Sequence, residues 1–339
     1  MHKYDIKTIK LDFPPIAPIL VESQSPLWSV MIPTYNSDNY LQQALKSVLD
    51  QDPGVKKMQI EVIDDCSKNN NAKDITYSVG QGRILFSRNS RNLGFVENWN
   101  TCIRRAKGSW VHILHQDDLV LPGFYDHLES LIKTYPNISA AFTRYAYVDH
   151  EDHWLGLSEI EQREPGILEE WVSRIASFQR VRCPAIVVKR STYEQLGGYC
   201  QIAGFAADWE MWKRIAVHGS FGYHPAILAC YRIHPGSETS RIQGDVMDMR
   251  DVCKSIDISE TYLPSKSSKK LSRMARQMFA LAVLRQANDL MYKHRVKDAY
   301  RRALQALSCS FSKATVIAGL VFLIFSVQVL IQSVLSKLK

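Results

Sequence analysis

The stretch WVHILHQDD, Trp110–Asp118, decides how the rest of the chain is read. Trp110–Leu114 is a short apolar run that reads as a buried strand, and it ends at two adjacent carboxylates. Asp117 and Asp118 repel one another at a strand end unless a cation or hydrogen-bond donors compensate. A hard divalent ion such as Mg2+ or Mn2+ favours carboxylate oxygens and keeps open positions for phosphate. His112 and His115 alternate with apolar residues in the same run, so one of them is expected to face the core.

Upstream, Trp28–Pro33 (WSVMIP) is a first strand, followed by a helix over Asp38–Asp50 with Leu41, Ala44, Leu45, Val48 and Leu49 at helical spacing. Gln59–Ile63 is a second strand, broken at once by the turn-forming DDCSKNNN, and Asp64-Asp65 is a second acidic pair at its end. Arg83–Phe86 is a third strand, Phe95–Ala106 a helix stopped by Gly108, and Pro122–Tyr135 another helix. Alternation of strand and helix implies an α/β fold with a mostly parallel, doubly wound sheet and helices on both faces. Ligands bind such sheets at the carboxyl ends of the strands, so the four polar loops converge on one edge. After Ala140 the pattern is mixed. Ala140–Val148 and Pro184–Val188 read as strands, and Glu169–Ser177 and Asp208–Val217 as helices. Leu271–Leu307 reads as two helices with a break near Lys293–Val296.

Hydrophobic residues make up 46% of the 339 and charged residues 22%, a balance that excludes wholesale disorder. The net charge of +8 is concentrated between Arg250 and Lys313, directly before the uncharged segment Ala314–Leu335. That placement points to an anionic membrane surface and not to nucleic acid, for which no recognition motif is present. The segment has about the 20 apolar residues of a bilayer span, although Gln328 and Gln332 interrupt it. The basic side before it places the body on the cytoplasmic face of the membrane. The seven cysteines form no CxxC pair, which suits reduced thiols. Residues 1–27, rich in proline, read as an extended arm laid on the surface or left loose.

Read together, these segments resemble the family 2 glycosyltransferases of the GT-A fold, over about Trp28–Ser240. VMIPTYNSDNYLQQALKSVLDQ looks like the family's first strand and helix, which implies that Pro33 and Tyr35 border the nucleotide. EVIDDCS looks like its second strand, which implies a base contact for Asp65. RNLGFVENWNTCIRRAKGSW resembles the segment with an asparagine near the donor, here Asn100, and Arg88 and Asn92 lie in the loop before it. LHQDD matches the metal-binding motif, making Asp118 the direct ligand and Asp117 a sugar or ribose contact. In CPAIVVKRSTYEQLGGYCQIAGFAADWEMWKRIA the alignment places the general base at Asp208. YRIHPGS matches the closing motif and puts His234 near the metal or diphosphate. Three positions depart from the family habit: Ala207 stands where a glutamate is common, His115 where an aspartate is, and Cys66 where a glycine is.

The physical case for Asp208 stands beside the resemblance. A carboxylate at a helix N-terminus is favoured by the macrodipole, and one within reach of a hydroxyl can take its proton. Glu210 on the same turn is the rival base. Trp209 and Trp212 are expected to pack, and Trp154 is the better stacking platform for an acceptor.

The expected organisation is an arm (1–27), a GT-A domain (28–245, split into a nucleotide-sugar half 28–136 and an acceptor half 137–245), a basic helical extension (246–312) and a hydrophobic membrane segment (313–339). The expected activity is inverting, metal-assisted transfer from a nucleotide-sugar, most plausibly a UDP-sugar, to a glycan or lipid-linked acceptor in surface-polysaccharide assembly. A nucleotidyltransferase would carry a Gly-rich phosphate loop after the first strand, and PTYNSDNY is not one. A dehydrogenase would carry GxGxxG, which is absent. A degenerate transferase fold serving as a glycan-binding scaffold is the non-enzyme alternative. Oligomeric state is not encoded in any pattern read here.

Overall fold

The computed structural model describes residues 13–19, 25–37, 40–234 and 249–337. In the first half, β1 (Trp28–Thr34), β2 (Met58–Asp64), β3 (Leu85–Arg88) and β4 (Trp110–Ile113) alternate with α1 (Tyr40–Leu49), α2 (Asn71–Gly80) and α3 (Phe95–Arg105). Every residue of β1 and β2 is buried, as expected of strands covered on both faces. Val30 and Ile32 of β1 face α1, packing with Leu41, Leu45 and Val48. Met31 faces the opposite way, with Val96, Trp99 and Ile103 of α3. Helices therefore cover both faces of the sheet.

The second half adds β5 (Leu119–Val120), α4 (Phe124–Thr134), β6 (Ala140–Val148), β7 (Trp154–Leu157), β8 (Gly166–Ile167), α5 (Trp171–Ser177), β9 (Ile186–Lys189), α6 (Arg190–Leu196), α7 (Ala207–His218) and β10 (Phe221–Arg232). The main path of the sheet runs β3-β2-β1-β4-β9-β6-β10-β5, with β7 on β6 and β8 on β10. The expectation of a mostly parallel sheet is corrected here, because the sheet is mixed. β1 is parallel to β2 and β4, and β2 to β3. β9 then enters antiparallel to both β4 and β6, and β10 is antiparallel to β5 and β8. An apolar run buried on both faces carries no mark of its direction, so the reversal at β9 was not readable from its residues.

Residues 13–19 lie along the domain surface. The Gly198 amide donates to Pro14 O at 2.7 Å, Arg190 Nη2 donates to Ala17 O at 3.2 Å, and the Arg214 guanidinium sits over the Phe13 ring. The rest of the 1–27 arm is described only at 25–27.

After residue 249 the chain is helical: α8 (Met249–Glu260), α9 (Ser268–Tyr292), α10 (Val296–Cys309) and α11 (Lys313–Lys337). The predicted break near Lys293–Val296 is the α9–α10 turn, with His294 in the left-handed region. α11 packs on α9 and α10 through Thr315, Phe322 and Ser326, which are buried, and Ser326 Oγ lies 2.8 Å from Tyr300 Oη. Its outward side carries Val316, Ile317, Leu320, Val321, Leu323, Ile324, Val327 and Ile331, all exposed. Among the described residues no helix is long and apolar enough to cross a membrane.

Candidate active site

The site forms where the loops after β1, β2 and β4 meet the start of α7, and it opens into one cavity of about 580 Å³. Lining this cavity, Pro33, Tyr35 and Asn36 lie at and after the end of β1, and Asp65 follows β2. Hydrogen bonds lock these loops together. The Asn36 amide donates to Ser67 Oγ at 2.7 Å, and the Lys68 amide to Asn36 Oδ1 at 3.1 Å. Gln116 after β4 accepts from the Tyr35 amide at 3.1 Å and donates to Tyr35 O at 3.3 Å. Cys66 sits in the left-handed region at φ 59°, the conformation that favours glycine and accounts for glycine as the commoner residue there.

The two acids after β2 divide their work. Asp64 accepts from Ser67 N and Ser67 Oγ and pairs with Arg88 Nε at 2.6 Å, so it braces the loop. Asp65 accepts from Asn89 Nδ2, Leu93 N and Gly94 N, each at 2.9 Å. An ionised carboxylate offers about four acceptor positions, which leaves Asp65 capacity for one more donor from the cavity. Arg88 is committed to Asp64 and to Asn69 O at 2.8 Å and does not line the cavity. Asn100 is fully buried and also lies away from it. Its side chain donates to Tyr199 O at 3.0 Å and accepts from Tyr199 N at 2.7 Å, joining α3 to the Gly197–Tyr199 turn. Asn92 and Asn98, not Asn100, line the cavity from this region.

His115 and Asp117 line the cavity and Asp118 is buried beside them, outside its lining; the three bring one ligand atom each to within 4.8 Å of one another. Asp118 is buried, and its Oδ1 accepts from the Arg232 amide at 2.9 Å, while its Oδ2 has no hydrogen-bond partner. Burial first, then the neighbouring Asp117 charge, pushes the Asp118 carboxyl well above the usual range. His115 stacks on Trp99 at 5.0 Å between ring centroids, and its buried Nε2 is also unpartnered. Two buried polar atoms without hydrogen-bond partners beside adjacent carboxylates give a donor set whose chemistry fits a divalent metal. His112 is the histidine that faces the core, between Tyr125 Oη at 3.0 Å and Pro184 O at 3.1 Å. His234 reaches the same cluster from the end of β10, with Nε2 3.1 Å from Asp117 Oδ2. Arg232, which the sequence patterns did not single out, holds the acid turn through its backbone amide and through Nε to Asp117 O at 2.8 Å.

Asp208 lines the cavity from the first turn of α7. Its Oδ1 accepts from the Trp209 amide and its Oδ2 from Gln179 Nε2, both at 2.6 Å. Burial raises the carboxyl to about 6, against the lowering pull of Arg182. Glu210 faces the interior. It pairs with Arg214 at 2.9 Å and accepts from Tyr262 Oη at 3.0 Å, so it has no path to the cavity. Trp209 and Trp212 are packed in the core as expected. Trp154 is exposed on β7 and does not line the cavity.

Residues 29–195 match the sequence model of the family described as Glycosyl transferase family 2. This segment is a family 2 glycosyltransferase domain. The chain is similar to an uncharacterised glycosyltransferase of Rickettsia typhi, 23% identical over 217 residues that cover 64% of this chain and 67% of the relative. It is also similar to one of Methanocaldococcus jannaschii, 28% identical, covering 62% of this chain and 72% of that one. Among solved structures, S. aureus TarS residues 1–349 in complex with UDP-GlcNAc superposes with a TM-score of 0.60 at 15% identity, covering 73% of this chain and 71% of the other. A TarS structure of which the chain spans only 43% superposes with a TM-score of 0.57. At that identity the likeness shows the fold, an α/β GT-A-like domain. The family 2 match ends at residue 195, so Asp208, Arg232 and His234 stand on the geometry above.

Proposed function

We propose that this family 2 domain transfers a sugar from a nucleotide diphosphate donor, a UDP-sugar, to an acceptor hydroxyl with inversion. The observation that carries the reading is a single cavity lined by Asp65, by His115 and Asp117 with Asp118 buried beside them, and by the Asp208 carboxylate. The Pro33–Asn36 turn and Asp65 hold the nucleoside, and Asp117 faces the sugar or ribose. Asp118, with His115 or His234, would hold a Mn2+ or Mg2+ ion, whose charge opposes that of the departing diphosphate. Asp208 takes the proton of the acceptor hydroxyl as its oxygen bonds to the anomeric carbon from the face opposite the diphosphate. The bond from that carbon to the phosphate oxygen breaks, and the nucleoside diphosphate leaves with the electron pair. The TarS fragment with bound UDP-GlcNAc supports a UDP-sugar donor by likeness of fold.

The acceptor in this reading is a glycan or lipid-linked sugar at the cytoplasmic face of the membrane, in surface-polysaccharide assembly. α11 supports it. The helix turns Thr315 and Ser326 inward and large aliphatic side chains outward, the reverse of a water-facing helix. The basic residues of α9 and α10 beside it suit anionic headgroups. The helix would then lie in the interface without crossing it. Release of UDP from a panel of UDP-sugars tests the reaction. Loss of release in Asp208→Asn with donor binding retained is expected. Loss of both would assign Asp208 to the fold, and release by Asp208→Asn at the native rate would remove it from the mechanism.

A further inference from the structure

Between α5 and the short turn Cys183–Ala185, the irregular segment 178–182 passes behind Asp208. Gln179 and Arg182 from this segment form a chain that ends on the base: Arg182 Nη1 donates to Gln179 Oε1 at 3.0 Å, and Gln179 Nε2 donates to Asp208 Oδ2 at 2.6 Å. We propose that Gln179 and Arg182 are the positioning residues of the base, Gln179 holding the Asp208 carboxylate in place and keeping the Arg182 cation at one remove from it. This inference rests on the reading of Asp208 as general base and assigns what sets its orientation and charge.

The amide has one possible orientation. Flipped, its oxygen would face the carboxylate and its NH2 the guanidinium, two repulsions in place of two hydrogen bonds. With Trp209 N on Oδ1 and Gln179 on Oδ2, the plane of the carboxylate is fixed while each oxygen keeps a free lone pair for the incoming proton. Arg182 makes no ion pair among the described residues, and its buried Nε has no partner. It lies over the Tyr231 ring at 5.1 Å and lines the cavity.

The spacer has a chemical consequence. A guanidinium in direct contact with a carboxylate lowers its pKa by about 1–3 units and would leave a weak base. Burial without any cation would leave it protonated near neutral pH. Arg182 held beyond one amide balances the two, in keeping with a carboxyl at about 6. The other charged or titratable groups around Asp208 do not supply this balance. On α7, Lys213 is directed away to Ser255 and Ser259 of α8, and Glu210 is bound to Arg214. Burial pushes Cys183 and Tyr199 up, so both stay neutral. Among the described residues, Arg182 is therefore the cation placed to lower the Asp208 carboxyl against the larger effect of burial. The sequence held no sign of this pair, because the segment has neither helical nor strand periodicity.

The test is the pH dependence of UDP-sugar hydrolysis, with water as acceptor and the UDP-sugar that binds most tightly as donor, in Gln179→Leu, Arg182→Met and Arg182→Lys. Arg182→Met should move the acid limb of kcat/KM upward by about one pH unit, and Arg182→Lys should restore it towards the native position. Gln179→Leu should lower kcat about 10- to 100-fold with donor KM changed less than about twofold. An unmoved limb in Arg182→Met, or a donor KM raised about tenfold at unchanged limb, would overturn the inference and make Arg182 a donor ligand. Should Arg182→Met melt early, the Lys and Leu variants decide alone: a native kcat in Gln179→Leu refutes the role. Native activity in Asp208→Asn would instead refute the base assignment itself, so the two failures are distinguishable.

Discussion

Replacing Asp118 by Asn should stabilise the metal-free protein and abolish its stabilisation by metal. The carboxylate oxygens of Asp117 and Asp118 lie within 4.8 Å of one another, and Asp118 is buried with Oδ2 unpartnered. At an effective dielectric of about 20, two unit charges at that separation repel by about 3 kcal/mol, and by under about 1 kcal/mol in bulk water. Asp117 is partly exposed, so a relief of about 1–3 kcal/mol is expected from removing one charge. The substitution keeps an oxygen to accept from the Arg232 amide, and its new NH2 can donate to Asp117. For a domain of this size that energy corresponds to a rise in Tm of roughly 2–10 °C in EDTA. Native protein at a Mn2+ concentration about 100 times Kd should gain about 2.7 kcal/mol, and Asp118→Asn should gain almost none. Differential scanning fluorimetry at pH 7.5 reads both. A lower Tm in EDTA together with an undiminished Mn2+ shift would refute the donor-set reasoning.

Four other outcomes follow from the same geometry. Asp208→Asn should lower transfer by about 10²–10⁴-fold, and the native acid limb should lie near pH 6, because the base works only when ionised; a pH–rate profile checks this. A Cβ on Gly198 would collide with Asn100 Oδ1, so Gly198→Ala should cost about 1–3 kcal/mol in urea unfolding. Burial lowers Lys213 to about 7, below its unfolded value, so the unfolded state binds the extra proton between about pH 7 and 10; native stability should rise with pH across that window, and Lys213→Met should abolish the rise. Ile324→Glu with Val327→Glu should reduce co-sedimentation with anionic vesicles without changing UDP-sugar binding.

Which parts of this molecule were legible depended on how local their signal was. β1, β2 and β4 announce themselves as apolar runs that stop at polar turns, and Asp65 after β2 and Asp117 after β4 line the cavity. The start of α7 was also readable, with Asp208 in its first turn. β10, the strand that carries Arg232 to the acid pair, was not. Pro225 sits in its middle, a residue that argues against a central strand, and the register shifts between His224 and Ile227 and again before Ala229 absorb it. Alternation predicted that either His112 or His115 faced the core, but only packing against Tyr125 and Trp99 decides which. Asn100 and Arg88 fell on motif positions, yet the tertiary structure spends their hydrogen bonds on Tyr199 and Asp64. The apolar run at 314–335 has the composition of a span, and composition cannot reveal that one side of the helix packs on α9 and α10.

The central claim is that one cavity holds a nucleotide-sugar through a metal-dependent acid pair. Calorimetric titration of the purified chain with UDP-, GDP-, dTDP- and CMP-sugars, with and without Mn2+, tests it most directly. The account predicts that UDP-sugars bind only with Mn2+, that UDP competes, and that Asp118→Ala loses the binding. Absence of binding for every nucleotide-sugar in the presence of Mn2+, or equal binding by Asp118→Ala, would contradict it.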